Sequence, residues 1–509
     1  MSKTIIIIGA GLAGLSAALQ AAENGCNVKL VSSLPSERAQ SVMAEGGINA
    51  ALNTKDENDS PEEHFTDTIK AACGLADPNA VWEMTQAAPE LVHWLLKLGV
   101  KFNMSGYDDV DLRNFGGQKK KRTAFAQSDT GKQIMTAMID AVRRKEASGM
   151  VERFSHHSFL TLRLCGNICC GCVIRDEYSQ ETVELPGDAV IVATGGMHGL
   201  FGNTTGSLSN TGEVTAELFR LGVPLANGEM IQYHPTTVKC GGKRMLISEA
   251  ARGEGGRLFA MKDGKQWYFM EEKYPELGNL MPRDITAREI WKVSHESEVF
   301  LDMTEISEEI ISNKLSGLAD DCMTYLHKDI RKEPVSVLPG IHYFMGGILV
   351  DEQHRTPIQN LYAAGECCAQ YHGANRLGGN SLLGALYGGR VAAKSACEQA
   401  DVVDLSCATQ IDVPPASQIS EIKQLNKVMQ ETMGVVRNEN TLLNGIQTVQ
   451  ALTGNLPLLG MAVLKSALAR KESRGAHWRE DYPKSNDDDY LKTTVARFDG
   501  KQIQISFVP

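Results

Sequence analysis

With 509 residues, 42% of them hydrophobic, the chain can bury several cores and divides on ordinary domain sizes into about two to four domains. A net charge of −11 excludes an extended nucleic-acid footprint, which needs a basic face, yet leaves room for small anionic ligands held by local arginines. Twelve cysteines without regular spacing, and no apolar run near the roughly 18 to 20 residues of a bilayer span, describe a cytoplasmic chain in a reducing compartment, with neither a disulfide framework nor an export signal.

The chain opens with Ile5-Ile6-Ile7-Ile8, then "GAGLAG", then "LSAALQAAENG". A buried parallel strand, a glycine turn and a helix start make a dinucleotide-binding entry formed by Gly9, Ala10, Gly11, Leu12, Ala13 and Gly14. Gly9 permits the turn, Gly11 lets the backbone approach a pyrophosphate, and Gly14 allows close helix–strand packing. After a second strand over Asn27 to Val31, Ser32-Ser33 stands where a ribose-binding acid is expected, which argues against a plain NAD site. The cluster "CGNICCGC", Cys165 to Cys172, lies between two strand patterns joined at Gly166-Asn167, so its thiols read as hairpin side chains and no metal site is expected. "DAVIVATGG" (188–196) and "QNLYAAGE" (359–366) repeat the strand-then-glycine logic, so the nucleotide domain is split. The fold class is α/β. The first part of the nucleotide domain covers 1–222, an inserted α+β cap 223–339, the second part 340–412, and a helical domain with a short terminal segment 413–509, where "ISEIKQLNKVMQETMGVV" and "LPLLGMAVLKSALARKES" have helical period.

The cap and its borders carry "QYHPT", "ISEAARGEGG", "PRDITARE" and "GIHYFMGGI", followed by "HGANRLGGN". Together they supply His234, Ser248, Glu249, Arg252, Arg283, His342 and Arg376. Cationic and donor groups gathered beside a dinucleotide fold are what an anionic substrate requires.

These motifs, in this order and over nearly the whole chain from "IIIIGAGLAG" through "RTAFAQSDTGKQ" to "ARKESRGAHWREDYP", resemble those of the flavoprotein subunit of fumarate reductase and succinate dehydrogenase. The resemblance implies FAD as cofactor, held by the N-terminal fingerprint with Ser32, Ser33, Ala44, Glu45, Gly46, Gly47, Ala193, Thr194, Gly195, Gly196, Glu213, Glu366, Asn380, Ser381 and Leu382. It implies that His342 and Arg376 bind one carboxylate of fumarate or succinate and that His234 and Ser248 bind the other. Arg283 is then the proton donor, with Glu249 and Arg252 relaying protons to it. It further implies an iron–sulfur partner subunit and a membrane anchor, which would place this chain peripherally on the inner face of a membrane. L-aspartate oxidase, which shares several of these motifs, is the alternative; its members resemble this chain but carry a glutamate before a paired glycine, where "NFGG" places Phe115, which cannot pair with an amine. Two departures matter. The family's "TGDG" reads "TGEV", substituting Glu213, and Gln40 stands where the membrane-complex members join a histidine to the flavin, so the FAD is expected to be non-covalent and the enzyme to work as a fumarate reductase.

Overall fold

The computed structural model describes residues 2–106, 109–401, 411, 413 and 419–509. The expected boundary at 412–413 therefore falls on residue 412, outside the described residues. Strand β1 (Thr4–Ile8) sits at the centre of a five-stranded parallel sheet, flanked by Ala189–Val192 with Leu361–Ala363 beyond it on one side, and by Asn27–Ser32 with Val151–Ser155 beyond it on the other. Both faces of this sheet are covered, which is why the strand reads as four consecutive isoleucines instead of an alternation. Each of those side chains contributes about 1.5–3 kcal/mol by leaving water. Helix α1 (Leu12–Glu23) follows at once. The turn between them admits only glycine at two places: Gly9 has φ +111, and a Cβ on Gly14 would lie 1.8 Å from the Gly9 carbonyl oxygen.

Two long strands carry the chain into and out of the inserted region. β2 (Ile231–Cys240) pairs antiparallel with β3 (Leu338–Phe344), with register shifts on either side of Tyr233-His234. Such bulges re-aim side chains, here toward the cofactor domain. Between β2 and β3 lie α2 (Glu249–Gly253), α3 (Arg283–Val293) and a four-stranded sheet over residues 257–336. This region has its own core around Leu258, Ile290 and Leu301, and Phe115, supplied by the first segment of the chain, is packed into it.

After β3 the chain returns to the parallel sheet and enters α4 (Asn380–Gln399), which packs tightly on α1: a Cβ on Gly389 would meet the Ala13 carbonyl oxygen at 2.3 Å. The two predicted C-terminal helices are present as Ile419–Thr432 and Asn455–Ala469, with a third, Glu439–Val449, between them. The periodicity did not anticipate the end of the chain, where a hairpin of Thr493–Phe498 and Ile503–Val508 pairs with the short strand Leu225–Ala226 and so joins a sheet that includes Gly347–Leu349.

The cysteine hairpin is as expected. His157–Cys165 and Ile168–Asp176 pair antiparallel around Gly166, whose φ is +60. Cys169, Cys170 and Cys172 are buried, and no group of residues with metal-ligating spacing occurs among the described residues.

Candidate active site

A single continuous cavity of about 880 Å³ runs from the glycine turn of β1–α1 to the interface with the inserted region. Gly9 to Ala13, Ser32 and Ser33, Ala44 to Gly47, Ala193 to Gly196, Glu213, Glu366, Ser381 and Leu382 all border it. Its walls suit a large, flat, polar cofactor. The Ser32 hydroxyl is buried without a protein partner. A Cβ on Gly46 would press to 2.7 Å from the Phe115 ring, and one on Gly196 to 2.7 Å from a Glu366 carboxylate oxygen, so the wall is smooth where a ring system would lie. Glu366 is fixed by the Phe344 amide, which donates to Oε1 at 3.1 Å, and has His198 Nε2 at 3.6 Å. Glu45 is half-buried on the cavity wall; desolvation, then the charge of Asp321, pushes its carboxyl up to about 8, so it is largely neutral at pH 7. Gln40 borders the cavity, its side-chain oxygen accepting from the Ser207 amide at 2.5 Å.

Three of the predicted residues stand behind the wall. Gly14 packs against the Gly9 carbonyl. The Asn380 side chain turns into a buried network, meeting His64 Nε2 at 2.9 Å, Asn49 Nδ2 at 2.8 Å and the Thr68 hydroxyl at 3.0 Å. Arg252 lies one layer out, its guanidinium bonded to Glu249 Oε1 at 3.3 Å and to the Asn279 carbonyl at 2.6 Å.

At the interface end, the remaining predicted residues converge. β2 supplies His234, β3 supplies His342, and the two rings lie 5.1 Å apart in an edge-on arrangement. Ser248 is the N-cap of α2, accepting from the Ala250 amide, and Glu249 follows it. Arg283 begins α3. Its Nε and Nη2 donate to Glu249 Oε2 at 2.8 and 2.5 Å, and its Nη1 donates to Gln232 Oε1 at 3.1 Å. The glycine-lined loop before α4 presents Arg376, whose Nη2 donates to the same Gln232 oxygen at 3.0 Å and whose guanidinium lies 4.4 Å from the centre of the Tyr343 ring. Arg376 Nε is buried without a partner.

The electrostatics follow from this crowding. Burial alone would raise the Glu249 carboxyl, but the charges of Arg283 and Arg252 outweigh it and hold it below the usual carboxylate range. Burial, then the charge of Arg283, brings Arg376 down to about 9. Burial, then Arg283, places His234 and His342 well below the ordinary imidazole range, so both are neutral at pH 7. The result is a pocket of charged and neutral donors bordered by a single engaged carboxylate, an arrangement that favours an anionic ligand with more than one acceptor group.

Sequence reasoning missed three residues here. Gln232 bridges both arginines, and its amide is oriented by donation to Asn375 Oδ1 at 2.9 Å and to the Arg376 carbonyl at 2.8 Å. Thr205 contacts His342 Nδ1 at 2.8 Å, and Tyr343 backs Arg376. Gln232 was within reach of the sequence: on a strand it shares a face with His234, two residues on. Thr205 comes from a distant loop and carries no comparable signal.

The chain matches the family model described as FAD binding domain over residues 4–382, and that described as fumarate reductase flavoprotein C-term over residues 452–509. It is 39% identical to the succinate dehydrogenase flavoprotein subunit of Bacillus subtilis, over 97% of this chain and 94% of that one. It is 32% identical to the 8-methylmenaquinol:fumarate reductase flavoprotein subunit of Wolinella succinogenes, over 98% of this chain and 89% of the other. Among solved structures, the quinol fumarate reductase chain FrdA of E. coli superimposes with a TM-score of 0.90 at 28% identity, covering 100% of this chain and 97% of that one. These matches run through both the cofactor cradle and the arginine-lined pocket, and the chain belongs to the succinate dehydrogenase/fumarate reductase flavoprotein family of FAD-dependent oxidoreductases.

Proposed function

We propose that the chain interconverts fumarate and succinate and works chiefly as a fumarate reductase, with Arg283 as the proton donor. The observation that carries this reading is the placement of Arg283 between Glu249 and Gln232, with Arg376 sharing the Gln232 oxygen. Bound FAD supplies the hydride. The side chains do the rest. Arg376 and His342 hold one carboxylate, and His234 and Ser248 hold the other, so that negative charge developing on the dicarboxylate meets donors already in place. Neutral imidazoles donate one N–H each without adding a proton of their own to the reaction. An arginine is a weak acid in water, but a carbanion-like centre is a far stronger base than water, so transfer from Arg283 runs downhill. Glu249, bonded to both Arg283 and Arg252, provides the path by which Arg283 regains its proton. The same groups serve succinate oxidation in reverse.

Two features support the reductive direction and the dicarboxylate. Gln40 holds the position of the flavin-linking histidine, and an amide nitrogen is too poor a nucleophile to form that bond; a non-covalent flavin has a lower potential, which favours giving electrons to fumarate. Phe115 is engaged in apolar packing and offers no carboxylate to an ammonium group, which disfavours L-aspartate. The relatives named above are subunits, and this chain is proposed to receive its electrons from an iron–sulfur partner on a membrane-anchored assembly; among the described residues no helix is long and apolar enough to cross a membrane. The test is the purified, FAD-loaded chain with reduced viologen. Fumarate should reoxidise the dye, malonate should compete, and acid precipitation should leave all the flavin in the supernatant. Peroxide formation from L-aspartate at a rate rivalling fumarate turnover would install the aspartate oxidase reading instead.

A further inference from the structure

We infer that Cys26 and Cys397 form a redox modification site, a dithiol that hydrogen peroxide converts to a disulfide tying the last turn of α4 to the turn after α1. Their sulfurs lie 2.8 Å apart although 371 residues separate them in sequence. Each is held in place by bonds that do not involve its thiol. The Cys26 amide donates to the Ala21 carbonyl at 3.0 Å, closing α1 after Gly25, and Lys3 Nζ donates to the Cys397 carbonyl at 2.7 Å. The helix that ends just before Cys26 and the helix that carries Cys397 are locked by the Gly389–Ala13 approach, so the pair is set by the packing of α1 on α4.

Partial exposure is shared with Cys73, Cys165 and Cys240; this pair combines it with a close approach of two sulfurs distant in sequence. Cys169 and Cys172 are fully buried, and burial pushes the Cys169 thiol up to about 12. Cys367 and Cys368 are likewise buried. Cys397 is only partly covered, so a molecule as small as peroxide reaches it, while Cys26 behind it is 5% exposed. The step balances with peroxide alone. The Cys397 sulfur attacks one peroxide oxygen, the O–O bond breaks, and a sulfenic acid and one water result. The Cys26 sulfur then attacks the Cys397 sulfur, the S–S bond forms, and the hydroxyl leaves as a second water; two electrons and two protons pass from the thiols to the oxidant. Burial, then contact with Cys26, raises the Cys397 thiol, so the first step is slow and answers sustained peroxide. The product closes a covalent loop over residues 26–397, which contains the cavity segments from Ser32 to Leu382, the inserted region and Arg376, while the Gly9–Gly14 turn stays outside it. It restricts the unfolded chain far more than the folded one.

The test uses the full FAD-loaded chain, treated with excess hydrogen peroxide, alkylated and mapped by mass spectrometry. A peptide linking Cys26 to Cys397, lost on reduction, is expected, together with a rise of about 5 °C in apparent melting temperature that dithiothreitol reverses. Cys397→Ser should abolish both effects. Cys26→Ser should instead leave a Cys397 sulfenic acid that dimedone traps. Neither residue borders the catalytic cavity, so both variants should keep the untreated enzyme's rate, whatever its substrate proves to be. Recovery of Cys26 and Cys397 both alkylated after prolonged peroxide, or of Cys397 linked to a different cysteine such as Cys407, would overturn the assignment.

Discussion

Arg376 and Arg470 are both buried arginines beside acidic groups, yet they are built for opposite ends. Arg470, after the last long helix, has every N–H engaged: Nε with Glu229 at 2.7 Å, Nη1 with Glu472 at 2.7 Å and the Tyr490 carbonyl at 2.8 Å, Nη2 with the Lys492 carbonyl at 2.7 Å and the Thr494 hydroxyl at 2.8 Å. Arg376 donates one hydrogen bond, to Gln232, keeps Nε unpartnered, and rests on an aromatic face at the edge of the cavity. Burial and charge alone do not distinguish a working arginine from a structural one. The distinction lies in unspent donors: a saturated guanidinium holds a fold, and an unsaturated one facing a cavity waits for an anion.

The comparison can be broken by substitution. The largest effect is expected at Arg283, where Arg283→Ala should lower fumarate reduction by about 10² to 10⁴ while flavin content stays near that of the parent; retention of more than a few percent of the rate would remove it from the proton-donor role. Arg470→Gln should strip a buried network of its hub and cost about 3–5 kcal/mol of stability in denaturant titration. Arg376→Gln should do the reverse, changing stability by about 1 kcal/mol or less but raising KM for fumarate by about 10- to 100-fold, the loss of a charge-assisted hydrogen bond of about 1.5–3 kcal/mol. If the two variants behave alike, the distinction by unspent donors fails.

Two pH experiments sharpen it. The Arg376 charge is present below about 9 in the folded protein and is lost as pH rises through that value, so KM for fumarate should climb above pH 9 while flavin stays bound. Glu45 works the other way. Its folded value, raised from 4.5 to about 8, means that its contribution to stability is present at low pH and is lost as pH rises from 4.5 through 8. Glu45→Gln should therefore flatten that decline and stabilise the protein by about 1–3 kcal/mol at pH 8 while changing little near pH 4.5; an unchanged slope would mean that Glu45 is already ionised.

What the sequence disclosed was whatever local spacing encodes. The isoleucine strand, the glycine turn, the cysteine hairpin and the pairing of Glu249 with Arg252 each depend on neighbours within a few residues, and each is present. Phe115 entering the core of the inserted region, Thr205 against His342, and the terminal hairpin beside Leu225–Ala226 depend on partners about a hundred residues away or more, and composition does not encode such meetings. Asn380 shows the same limit in reverse: its motif neighbours Ser381 and Leu382 reach the cavity, but the pitch of α4 turns Asn380 toward His64.

That hairpin also sets an order of events during synthesis. Leu225–Ala226 leaves the ribosome early, but one of its two strand neighbours, Thr493–Phe498, is made among the last segments, and Asn227 receives its bond from the Thr494 amide only then. The N-terminal cofactor fold can gather while translation proceeds, whereas the sheet beside Gly347–Leu349 has an open edge until the ribosome has nearly finished. A nascent chain stalled before residue 493 should therefore draw chaperones to Leu225–Ala226, and the passage to protease resistance should come at or after release.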